Sequence, residues 1–64
     1  MERLTELEAA GMTVNERLVV SGLMPAFDQA IARGDEPSIR EILASVFLDP
    51  NSIDSIVRRV LHSS

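Results

Sequence analysis

Two apolar stripes, separated by Asp49-Pro50, constrain this chain more than any other feature. Ile39, Ile42, Leu43 and Val46 form the first, and Ile53, Ile56, Val57, Val60 and Leu61 form the second. Both follow the i, i+3, i+4, i+7 spacing that gathers side chains along one side of an α-helix. A stripe of that kind has to be covered, and the connection between the two is short enough for each to cover the other. The spacing predicts a helix–loop–helix over 35–61, with Ile42 and Ile56 among the core residues.

The residues at the ends agree with the stripes. Asp35 can accept a hydrogen bond from a free first-turn N–H, and Pro37 sits where a missing N–H does little harm. Glu36 places negative charge near the positive end of the helix dipole. Asp49 and Pro50 repeat the arrangement for the second helix, with Asp54 early and Arg58, Arg59 and His62 late. A stop at Phe47 and Leu48 fits as well, because a residue preceding proline is pushed out of the helical region.

A chain of 64 residues has room for one domain with a small core. It has no cysteine, so no disulfide or thiolate metal site can brace it; that composition suits a reducing cytoplasm, the expected location. The apolar fraction is 45% and patterned, which argues for a folded chain. No apolar run approaches the ~20 residues of a membrane span. Glu2, Arg3, Glu6 and Glu8 do not give the layout of a secretory signal. The net charge is −4 and all six basic residues are arginine. An acidic balance argues against a nucleic-acid surface, which needs clustered cations to displace counterions.

Upstream of the paired stripes the pattern is less regular. Leu4 and Leu7 fall on one side of a short helix that Gly11 could end. Thr5 and Glu8 have capping-box spacing, in conflict with a helix beginning at Glu2. Three readings of residues 1–11 stay open: a weakly ordered extension, an alternative start before Met12, or a helix that docks on a partner. Asn15 is the expected cap of the next helix. Leu18, Val19, Val20 and Leu23 make that helix apolar over a wide arc, as in an element covered on more than one side. Ser21-Gly22 either breaks it, bends it or permits a close crossing. Met24-Pro25 starts or restarts a helix whose inward stripe is Phe27, Ala30 and Ile31, and Gly34 ends it in the left-handed conformation. There is no sustained strand-like alternation. The fold class expected is all-α: a small helical bundle of three to four helices in residues 12–64, with residues 1–11 as an N-terminal extension or an additional short helix.

Chemistry-bearing constellations are sparse. His62 is the only histidine, next to a Ser-Ser tail expected to fray, and reads as a cation at a helix C-terminus rather than a ligand or relay. Glu2, Glu6 and Glu8 with Arg3 read as a solvated face, since acid–base work needs a pocket to perturb pKa values. No serine lies in a nucleophile-elbow pattern and no Gly-rich phosphate loop is present. Neither an enzyme nor a cofactor is expected. Arg58-Arg59 on the last helix invites a helix-turn-helix reading. Asp49 and Asp54 on the same element, and Arg40 alone on the preceding one, favour a salt-bridging pair instead.

The remaining feature is surplus apolar surface. Val19, Val20, Leu23 and Met24 form one candidate patch, Leu4 and Leu7 another, and Phe47-Leu48 a third. The expected function is a small helical protein–protein interaction module that self-associates as a homodimer. The alternatives are a monomeric adaptor that binds another protein through the same face, or, less favoured, a helix-turn-helix DNA-binding regulator.

Asn15-Glu16-Arg17-Leu18, Phe27-Asp28 and the segment from Arg33 to Leu43 resemble a set of small bacterial proteins of unknown function. Those proteins open with Asn-Glu-Arg-Leu and continue with a Phe-Asp pair and an Ile-Leu helix. The resemblance spans Met12 to Val46, leaves Ile53 to Leu61 unmatched, and implies no activity. A ubiquitin-associated-like three-helix fold is similar in size only.

Overall fold

A computed structural model of the chain describes residues 4–62; Glu2, Arg3, Ser63 and Ser64, on which parts of the sequence reading fall, lie outside them. The described residues are all-helical: α1 (Glu6–Ala9), α2 (Val14–Val20), α3 (Met24–Arg33), α4 (Glu36–Ser45) and α5 (Pro50–His62). Consecutive helices pack in series, α2 on α3, α3 on α4 and α4 on α5.

Each helix start is built by local hydrogen bonds. At α1 the Glu8 N–H donates to Thr5 Oγ1 (3.2 Å) and the Thr5 N–H donates back to Glu8 Oε1 (3.2 Å). The capping box is therefore real, and the helix starts after Thr5 rather than at Glu2. It also ends two residues before Gly11, at Ala9. The cap of α2 is Thr13, not Asn15. Thr13 and Glu16 make the same reciprocal pair (3.2 and 3.0 Å), which satisfies two free donors where Asn15 could accept from one. Asp35 and Asp49 cap α4 and α5 as expected. Each accepts from the backbone N–H and the hydroxyl of the serine three residues on, Ser38 and Ser52. Ser52 thus braces the cap of α5.

Two of the helix ends are glycine-dependent. After α2 the Gly22 N–H donates to the Val19 carbonyl (3.1 Å) and the Leu23 N–H to the Leu18 carbonyl (2.9 Å). After α3 the Gly34 and Asp35 N–H groups bond the Ile31 and Ala30 carbonyls in the same way (3.0 and 2.9 Å). Both are Schellman endings, with Gly22 at φ +75° and Gly34 at φ +64°. Of the readings left open for Ser21-Gly22, the structure shows the break. The end of α4 uses no glycine: Phe47 itself is left-handed, at φ +68°. A side chain in that conformation costs about 1–2 kcal/mol.

The core comprises Leu4, Ala9, Leu18, Phe27, Ala30, Ile39, Leu43, Val46, Ile53 and Val57. Leu18, Ile39, Leu43 and Val46 are the largest side chains fully withdrawn from water. Ile42 and Ile56, expected in the core, are half-buried at its edge. The reason is angular. At about 100° per residue, Ile39, Leu43 and Val46 cluster within about 60° of arc, and Ile42 lies about 60° from Ile39 on the side away from Leu43. Ile56 stands in the same relation to Ile53 and Val57. Val60 is correctly phased but half-buried, because it lies near the end of α5, a helix of 13 residues facing an α4 of 10.

Candidate interaction surface

The six residues singled out as a contact surface separate in the structure. Leu4 leaves the set, because it is only 8% exposed and belongs to the core beside Ala9. Leu7 is the opposite, at 88% exposed. The start of α1 at Glu6 explains the split: Leu4 lies outside the helix and is buried, as is Ala9 at its end, while Leu7 within it faces water. Val19 and Val20 are 64% and 49% exposed, on the side of α2 away from Leu18. Leu23 and Met24 are half-buried against the core, at the junction of α2 and α3. The wide apolar arc of α2 is thus not covered on two sides by its own chain. One flank packs and the other faces water. Phe47 is 43% exposed at the corner between α4 and α5, and Leu48 beside it is half-buried.

Arg17 organises this corner, and the sequence reading assigned it no structural part. Its Nε donates to the Met12 carbonyl (3.2 Å), and its Nη1 donates to the carbonyls of Val46 (3.1 Å) and Phe47 (3.3 Å). These last two carbonyls belong to the end of α4, where the chain has turned and helical partners are missing. A guanidinium, with five donors in a fixed fork, can serve both at once and place a positive charge at the negative end of the helix dipole. Arg17 therefore caps α4 from α2 and ties the entrance of α2 to the α4–α5 corner. The only sequence signal was a cation on the core-side flank of α2, one residue from Leu18, where a solvated charge is unexpected.

Among the described residues the ion pairs are Arg33–Asp35 (3.4 Å), Arg40–Glu36 (2.9 Å) and Arg40–Asp54 (2.6 Å). Hydrogen bonds that Arg40 donates to the carboxylates of Asp54 and then Glu36 raise its pKa above the ordinary value. The α4–α5 bridge is therefore Arg40 to Asp54. The salt-bridging expected of Arg58 and Arg59 is not seen among the described residues, where both are exposed. Bonds from the Ser38 and Ser52 hydroxyls, then from their backbone N–H groups, hold Asp35 and Asp49 below the usual aspartate pKa. Glu6 and Glu8 are exposed at α1, and no group of three metal-ligating side chains comes together among the described residues. No helix among them is long and apolar enough to cross a membrane.

The class these observations define is a small all-helical domain with a single apolar core. No protein-family model, curated protein or solved structure matches the chain.

Proposed function

We propose that the chain is a small helical bundle acting as a protein–protein interaction module, without catalytic activity, and that it self-associates as a homodimer in a reducing, cytoplasmic setting. The observation that carries this reading is the exposure of Leu7, Val19 and Val20 in a chain with so small a core. Val19 and Val20 continue through Gly22 into half-buried Leu23 and Met24, so the apolar character runs along an edge rather than occurring at single points.

The size of the effect sets the experiment. Burying a large aliphatic side chain stabilises by about 1.5–3 kcal/mol when fully withdrawn from water. Scaled by exposure, the three residues give about 4 kcal/mol per chain, or about 8 for two copies. Lost rigid-body freedom takes back at least about 4 kcal/mol. The balance, about 4 kcal/mol at that minimum, corresponds to a dissociation constant of about 1 mM. Light scattering after size exclusion, over about 0.05–2 mM, should show the mass rising from one copy towards two. Val20→Glu should hold it at one. A constant monomer mass over that range would refute the homodimer and leave the same edge to the monomeric adaptor reading.

A further inference from the structure

The segment 4–10 is attached to the rest of the molecule in an unusual way. Its hydrogen bonds are internal: Thr5 with Glu8, the Ala9 N–H to the Thr5 carbonyl, and the Ala10 N–H to the Glu6 carbonyl. Among the described residues no ion pair or side-chain hydrogen bond joins it to residues 13–62. One backbone bond, from the Met12 N–H to the Ala9 carbonyl (3.0 Å), crosses the connection. What holds the segment down is the burial of Leu4 and Ala9 in the common core. The segment is thus a strap that carries its own cap and two apolar pegs. Its pivot is Ala10-Gly11, since Arg17 pins the Met12 carbonyl; Gly11 is exposed, with no atom within 4 Å of where a Cβ would stand.

We propose that in the self-associated form the strap is exchanged: Leu4 and Ala9 of one copy fill, on the second copy, the places they fill here on their own chain. The proposal rests on the homodimer reading and deepens it. The occupant is fixed by the structure, because the strap of this same chain is what the site already accepts, and exchange reproduces the core contacts of Leu4 and Ala9, giving up only the Met12 N–H to Ala9 carbonyl bond that spans the pivot. The geometry of the connection also fits. Ala10 and Gly11, the residues free to swing between Ala9 and the pinned Met12, span at most about 11 Å when extended. Two copies sharing straps must therefore meet around α1 and α2, which is where Leu7, Val19 and Val20 stand uncovered. Closure within one chain leaves Leu7 in water; exchange brings a second α2 alongside it.

The deciding measurement is an isotope-filtered NOE experiment on a mixture of methyl-labelled and unlabelled full-length chain, at a concentration where light scattering shows two copies. Intermolecular NOEs from the Leu4 and Ala9 methyls to core methyls of α2–α5 are expected. Inserting four Gly/Ser residues between Ala10 and Gly11 changes no side chain and should favour closure within one chain, raising the dissociation constant at least tenfold. A dimer in which Leu4 and Ala9 show only intramolecular NOEs, and whose affinity ignores the insertion, would overturn the exchange while leaving the homodimer intact. A monomer throughout would overturn both.

Discussion

The phase of α4 can be tested with two adjacent residues. Leu43 is fully buried and Ile42, one position earlier, is half-buried at the core's edge. Truncating either to alanine removes a similar amount of hydrocarbon, about three methylene equivalents at about 0.8 kcal/mol each. For Leu43→Ala the whole of that transfer energy is lost, together with the energy of a cavity walled by neighbours that relax only in part, giving about 3–5 kcal/mol. For Ile42→Ala about half of the transfer energy is at stake, and the gap opens to water, so the loss should be about 1–1.5 kcal/mol. The contrast matters because a chain of this length has roughly 3–10 kcal/mol in total. Leu43→Ala therefore approaches complete unfolding and Ile42→Ala does not. With no Trp or Tyr, the readout is far-UV circular dichroism during urea titration. It should be run at one fixed protein concentration, because association by the folded form alone raises apparent stability. Ile39→Val, expected to lose about 0.5–1.5 kcal/mol, keeps the test quantitative if Leu43→Ala does not fold. An Ile42→Ala loss equal to that of Leu43→Ala would mean that α4 is rotated from the phase described.

Three further outcomes follow from the caps and the corner. Arg17→Met should destabilise by about 1.5–3 kcal/mol, the scale of hydrogen bonds to a charged group, with amide shift changes concentrated at Val46–Leu48; Arg17→Lys, lacking the fork, should not restore them. Gly34→Ala and Gly22→Ala should each cost about 1–2 kcal/mol in the same urea assay, for conformational reasons alone, since nothing stands within 4 Å of the added Cβ. An unchanged midpoint would contradict the left-handed endings. Asp35 and Asp49 have lowered folded-state pKa values, so the stability they contribute is present above the ordinary aspartate pKa and is lost as pH falls through the folded values. The thermal midpoint should drop below about pH 4. Asp35→Asn/Asp49→Asn, which keeps cap-competent side chains, should flatten that acid limb.

Legibility in the sequence tracked the range of the interaction. The left-handed Gly34, the Asp35 and Asp49 caps, the Pro50 start and the two paired stripes all depend on residues within four positions of one another, and all appear in the structure. The Thr13 cap is local as well: Thr13 and Glu16 have the spacing of Thr5 and Glu8, and the reciprocal pair outweighs the single bond that Asn15 offers. The misses at longer range were of another kind. Ile42 reads as core because it satisfies the spacing, and only the placement of α3 and α5 decides which part of the arc is covered. Arg17 is given no structural part by the sequence because its partners, the Val46 and Phe47 carbonyls, lie about thirty residues away and have no side-chain signature. Leu4 and Leu7 look equivalent on a helical stripe. Starting α1 at Glu6 leaves Leu4 outside the helix, free to turn inward.

The disposition of charge leads to a last test, which separates self-association from the nucleic-acid alternative. Arg33 and Arg40 are paired with carboxylates, and Arg17 is bonded to three carbonyls. Arg58 and Arg59, exposed on α5, remain the cations facing outward among the described residues. A chain of net charge −4 that approaches its own copy does so against repulsion, which added salt screens over a distance of about 10 Å at 0.1 M. Raising NaCl from about 0.05 to 0.5 M should therefore leave the dimer constant unchanged or tighten it, because the apolar contribution from Leu7, Val19 and Val20 does not depend on screening. Duplex DNA held by Arg58 and Arg59 would respond in the opposite sense: each phosphate neutralised releases counterions, and affinity falls steeply with salt. Parallel light scattering and fluorescence anisotropy with a labelled duplex read the two signs directly. A dimer that dissociates as salt rises would mean that ion pairs, not the exposed aliphatic side chains, hold the two copies together.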